Sequence, residues 1–247
     1  MVFPILGANT ESASYEIANS IRINHNNAAY LSRSISSTGS ERIMTVSVWV
    51  KRSQVDHEHC IFSNKTSSTG INAMKLAFFS NNKLDWTVAT TGDTNYSITT
   101  NALFRDVAAW YHIVATVDTT QGTSSNRMKL YVNGAQVTSL SVASYPSQND
   151  DLRLSNSSYP HTIGEDPRDN TNFDGYIAEM HCLDGTAYDA SYFGETNDNS
   201  IQVVTMAPMA SIWNLNKQEQ VPILVVKVLI HLAKIIILMT IVWIQKI

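Results

Sequence analysis

The 247 residues carry a net charge of -4 and a pI near 5.9. Lys and Arg form no cluster up to Thr205, so there is no electrostatic case for a nucleic-acid partner, whose phosphates need a concentrated basic surface. Ser, Thr, Asn, Val and Tyr abound and long Leu/Ala/Glu/Lys stretches are absent, which favours strands over helices.

Residues 1–16 read as a lead-in arm. No Lys or Arg precedes its short apolar run, which argues against a secretory signal peptide. Next, "SIRINHNNAAYLSRS" alternates around Ile21, Ile23, Tyr30 and Leu31. "MTVSVWVKR" puts Val46, Val48 and Val50 on one face and Thr45, Ser47, Trp49 and Lys51 on the other. "MKLAFFSNNKLDWTVAT" reads as two strands joined at Asn81–Asn82. "WYHIVATVD" and "MKLYVNGAQVTSLSVA" follow, and Asn133–Gly134 is the strongest hairpin signal, since a type I′ turn needs positive φ at both central residues. "HTIG" and "FDGYIAEMHCLDG" close the series. No strand–helix–strand alternation occurs. The expectation is an all-β chain folded as an antiparallel jelly-roll β-sandwich over residues 17–196, with an anomalous tail at 197–247.

The run "WYHIVATVDTTQGTSSNRMKLYVNGAQV" resembles the concanavalin A-like lectin/glucanase sandwich in its laminin-G-like and pentraxin-like branch. "SIRINHNNAAYLSRS" is similar to that domain's opening strand, and "FDGYIAEMHCLDGTAYDASYFGE" to its closing strand and exit. The resemblance implies that the Trp-x-His strand packs in the core. The wording "AYLSRS", "VDTTQ", "YPSQN" and "FGET" resembles structural and tail-associated proteins of marine bacteriophages. That likeness implies a non-enzymatic virion module, assembled in the host cytoplasm beside other virion proteins, in keeping with a homotrimer, and touching host-surface glycans. The alternatives are a glycan-processing enzyme and a purely architectural protein–protein module.

A glycoside hydrolase needs two carboxyls flanking the scissile bond. Glu165, Asp166 and Asp169 fall in a loop, and the odd step from Glu179 to Asp184 would point these two to opposite faces of a strand, so no catalytic residue is assigned. In "DHEHC" a strand would aim His57 and His59 to one face and Cys60 to the other, leaving two ligands for a zinc ion. An exposed loop or edge is the expectation there. His112 reads as a buried, hydrogen-bonded structural residue. The loop "GEDPRDNTNFDG" is the best ligand candidate: Asp166, Asp169, Asn170, Asn172 and Asp174 offer the oxygen atoms that a hard cation takes. Laminin-G and pentraxin relatives often bind calcium, so calcium at Asp166, Asp169 and Asp174 is the implied option, though no cofactor is required. The competing reading of this loop is a solvated turn. Trp86, Tyr96 and Tyr159 could stack on sugar if exposed. Cys60 and Cys182 read as free core thiols in preference to one long-range bridge.

The tail "VPILVVKVLIHLAKIIILMTIVWIQKI" is apolar as nothing before it is. Lys227, His231 and Lys234 interrupt it on one helical face, a spacing that suits an interfacial helix better than a membrane span. The phage proteins that the chain resembles continue instead with a Gly/Tyr-rich and then a polar segment. Met and Trp each have one codon, ending in G. In the adjacent frame Met206–Ala207 and Met209–Ala210 therefore each encode Gly, Trp213–Asn214 encodes Glu, and Met239–Thr240 and Trp243–Ile244 each encode Asp. These match that continuation, so a frameshift near Asn197–Asn199 is the expected origin of the tail. Sequencing the gene tests this: codons that spell the polar continuation in the adjacent frame are expected, and incompatible third bases would rule it out.

Overall fold

The computed structural model describes residues 19–64, 74–167, 171–197 and 200–203. The proposed arm and nearly all of the anomalous tail lie outside these residues. In chain order the strands are β1 (Ile21–Ile23), β2 (Leu31–Arg33), β3 (Ile43–Arg52), β4 (His59–Ser63), β5 (Met74–Phe78), β6 (Lys83–Ala89), β7 (Asn95–Leu103) and β8 (Tyr111–Asp118). Then come β9 (Met128–Val132), β10 (Ala135–Gln136), β11 (Leu140–Ala143), β12 (His161–Ile163), β13 (Glu165–Asp166), β14 (Thr171–Asn172), β15 (Gly175–Asp184), β16 (Gly194–Asn197) and β17 (Ser200–Val203).

Two antiparallel sheets form the sandwich. The six-stranded sheet runs β1-β15-β3-β8-β9-β10 and the seven-stranded sheet β11-β7-β6-β5-β4-β12-β2. The alternation in β3 does what its pattern predicts: Met44, Val46, Val48 and Val50 are buried in one core with Phe62, Leu76, Phe78 and Trp86 of the facing sheet. Removing these side chains from water is the main term holding the layers together, at about 25 cal/mol per Å² of apolar surface. The turns follow their residues. Asn133 and Gly134 have φ of 50° and 79°, as a type I′ turn requires, and Asn82 turns β5 into β6 at φ 67°. At Gly175, where β15 enters the sheet, φ is 154° and a Cβ would lie 2.1 Å from the Lys51 carbonyl oxygen, so glycine alone permits that approach.

A second, smaller apolar layer covers one end of the six-stranded sheet's outer face. There Ala190 and Phe193 pack on Val114, Tyr131 and Leu183, flanked by Tyr188 and Tyr192. His112 is buried as expected, though on this outer face and not between the sheets. Its Nε2 lies 3.0 Å from the Ser47 hydroxyl, and its ring stacks on Trp49 at 4.9 Å. Cys60 and Cys182 are both buried and unbridged, and burial pushes both thiols up, away from the reactive thiolate. Among the described residues no helix is long and apolar enough to cross a membrane.

Burial lowers His112 and His161 each from 6.5 to about 4. Both rings are neutral in the fold, whereas the unfolded chain protonates them below about 6.5. Stability is therefore fully present above that pH and is lost as pH falls toward 4. Urea titrations are expected to show a loss of roughly 1–2 kcal/mol per ring between pH 7 and 5, and His112→Gln should flatten the slope.

Candidate functional site

The acidic loop folds back as the β13–β14 hairpin over β4, with Glu165 opposite Asn172 and Asp166 opposite Thr171. Its charges are met from inside the protein. Asp166 is fully buried, 3.7 Å from the Lys75 ammonium, which also donates to Glu58 at 2.7 Å. Burial, then the neighbouring Asp166, raises the Glu165 carboxyl to about 7. Asp174 is buried with one oxygen 2.6 Å from Arg22 and the other accepting from Gln54 at 3.0 Å. Asn172 is buried too. Asp169 and Asn170 lie outside the described residues. The expected cage of open oxygens is thus not what Asp166 and Asp174 form. Each faces a cationic side chain, because a buried carboxylate without a counter-charge is too costly to keep ionised.

The predicted aromatic platform is also redistributed. Trp86 is 0 % exposed, a core residue that cannot meet a sugar. Tyr96 is half-buried and packs against the core. Tyr159 is half-buried, with the Arg153 guanidinium 5.7 Å from its ring centre. The three do not assemble one surface, since inward strand positions and the sandwich edges claim them separately.

An aromatic row that motif reading missed lies on the open end of the six-stranded sheet's outer face. Arg22 of β1 pairs with Tyr176 of β15, and Tyr176 with Lys51 of β3. Trp110 precedes Tyr111, the partner of Val50, and so continues the row past Lys51. Trp110 and Tyr176 are 37 % and 38 % exposed, with ring centres 6.4 Å apart. The Arg22 guanidinium sits 5.4 Å from the Tyr176 centre. Lys51 has no ion-pair partner among the described residues. The signal was strand parity: Lys51 occupies the outward set of "MTVSVWVKR".

At the end of the sandwich next to Asp174, three histidines gather from two segments. His25, in the turn after β1, packs on His57 with ring centres 4.1 Å apart and planes tilted by 40°, and His57 stacks on His59 at 4.1 Å. Asp56 lies 2.6 Å from Nδ1 of His57. One ligand-type atom each from Asp56, His57 and His59 falls within 4.8 Å of the others. A cation nevertheless fits poorly. Nδ1 of His59 accepts the Asp174 amide at 3.1 Å, so the neutral ring carries its proton on Nε2 and has no lone pair there for a metal. Burial, then the nearby Arg52 guanidinium, lowers His59 from 6.5 to about 3, a sign of surroundings hostile to positive charge.

Comparison with known proteins places this geometry. Residues 24–190 match the family model described as concanavalin A-like lectin/glucanases superfamily. The binding domain of botulinum neurotoxin serotype G shares the fold at TM-score 0.52 and 16% identity, over 72% of this chain and 42% of that one. The CBM40 of Ruminococcus gnavus IT-sialidase, solved with alpha2,3 sialyllactose, gives 0.50 at 13% identity over 70% and 92%. The K499G mutant of NanB sialidase from Streptococcus pneumoniae gives 0.50 at 16% identity over 70% and 26%. No curated protein matches the chain in sequence. At these identities the likeness is one of fold.

The Lys75 ammonium lies against both Glu58 and Asp166. Lys75→Met is expected to cost about 1–3 kcal/mol in urea denaturation by removing the ammonium beside the buried Asp166, and a cost under about 0.5 kcal/mol would show that the group is held otherwise.

Proposed function

The chain belongs to the concanavalin A-like lectin/glucanase superfamily, and on that premise we propose that it is a non-catalytic carbohydrate-binding module of a virion structural or tail-associated protein, directed at host-surface glycans. The observation that carries the binding half is the exposed Trp110–Tyr176 pair, with Lys51 standing between these residues in the strand register. The apolar face of a pyranose stacks on an aromatic ring, while its hydroxyls need donors and acceptors at the rim. Lys51 supplies donors from a flexible stem. Arg22 is held by Asp174 and so keeps a fixed position over Tyr176. The row is shallow and solvated, which suits weak single-site binding strengthened by several copies on one particle.

The virion half is supported by the phage-like wording of "AYLSRS", "VDTTQ", "YPSQN" and "FGET". Mass spectrometry of purified particles encoding this gene tests it. Calcium is not required in this reading, since Lys75 and Arg22 already balance Asp166 and Asp174.

A glycan array with and without calcium tests the binding half. Binding to at least one glycan class is expected, and Trp110→Ala should weaken it by about tenfold or more, the worth of one stacked ring, with an unchanged far-UV CD spectrum. Silence on every sugar would favour a purely architectural module. Release of shortened oligosaccharides from the array would favour the enzyme reading.

A further inference from the structure

Charge is distributed unevenly along the aromatic row. Arg22 on β1 and Lys51 on β3 stand on either side of Tyr176 in the strand register. The Arg22 side chain keeps 37 % of its surface exposed although it bonds Asp174. Lys51 is half-exposed and has no ion-pair partner among the described residues. The acids that flank the row in sequence are withdrawn. Asp174 is buried, with one oxygen on Arg22 and the other accepting from Gln54 at 3.0 Å. Glu179, further along β15 from Tyr176, is buried 3.6 Å from Nε2 of His181. Asp106, in the loop before Trp110, accepts the Ala108 amide of that loop at 2.8 Å. Trp110 adds an indole N–H, which only donates. The four side chains of the row thus hold two cations, no carboxylate and a single strong acceptor, the Tyr176 phenol oxygen.

We propose that the row selects acidic sugars: its ligand is a glycan carrying a carboxylate or a sulfate ester, stacked on Trp110 and Tyr176 and met at its charge by Lys51 and Arg22.

Three physical points select this ligand class. A neutral sugar presents hydroxyls, each with a proton to donate, and a rim without a carboxylate or amide oxygen leaves most of them to water. A carboxylate or sulfate ester only accepts, so it matches Lys51 and Arg22, and a hydrogen bond between ionised partners is about twice as strong as a neutral one. The net charge of -4 repels polyanions from the protein as a whole, so their attraction depends on a local group of cations. Asp174 offsets part of the Arg22 charge, which makes the unpaired Lys51 the stronger determinant. The inference rests on the carbohydrate reading above and narrows it.

An array of neutral, carboxylated and sulfated oligosaccharides, probed with the full chain, tests it. The bound spots are expected to be charged ones, with signal falling from about 50 to about 500 mM NaCl as exposed charges are screened. Methyl esterification of a bound carboxylated glycan, or desulfation of a bound sulfated one, should weaken binding about threefold to fivefold, the worth of an exposed charge contact, and identifies which group is read. These probes need no variant. Lys51→Met should lower the ratio of charged to neutral binding by a similar factor with an unchanged far-UV CD spectrum. Binding confined to neutral glycans would overturn the proposal and leave the carbohydrate reading standing. So would equal binding of a neutralised glycan and its parent, or a charge preference that survives intact in Lys51→Met. Silence on neutral and charged glycans alike would remove both readings.

Discussion

The pairing of β15 with β3 is the contact on which the rest of this protein depends. It runs from Gly175 opposite Arg52 to Asp184 opposite Met44, and so ties the last strand of the sandwich to its first long strand within the six-stranded sheet. Every functional feature hangs from that register. A slip of one residue would send Tyr176 and Lys51 inward and Val50 and Ile177 out. Burial of the valine face forbids the slip, so packing energy in the core sets which side chains the outer face displays.

The same pairing sets up the polar end of the sandwich. Gly175 lets β15 approach Lys51 closely, which leaves Asp174 poised between Arg22, Gln54 and His59. One carboxylate and one amide thereby connect the surface row to the interior histidine. Two of the buried acids face the protein's own cations, Lys75 for Asp166 and Arg22 for Asp174, while Asp85 accepts from the Thr87 and Thr99 hydroxyls. Arg52 is a buried cation bonded, among the described residues, to neutral oxygens.

The outer face of the six-stranded sheet is divided by the exit segment. At one end Ala190 and Phe193 shield His112 and Val114; at the other Trp110 and Tyr176 stay open. The fold itself hosts many activities, so the case for glycans rests on the row and on the family, and not on the sandwich.

Sequence alone determined the class of this protein. Period-two alternation in β3, the Asn133–Gly134 turn and the aromatic-His strand are local signals, because side-chain parity and turn dihedrals depend on near neighbours only. It also set Lys51 on the face opposite the valines and marked His112 as structural. It could not show that Trp86 lies inward, that Lys75 reaches Asp166, or that His25 packs against His57. Those facts join segments far apart in the chain. They are decided by which strands become neighbours and how two sheets stack, and no local pattern encodes that. The Asp–His run between β3 and β4 shows the division plainly. Its spacing allowed a metal pair, and only the tertiary fold, by setting the Asp174 amide against Nδ1 and Arg52 nearby, turned His59 into a donor facing positive charge.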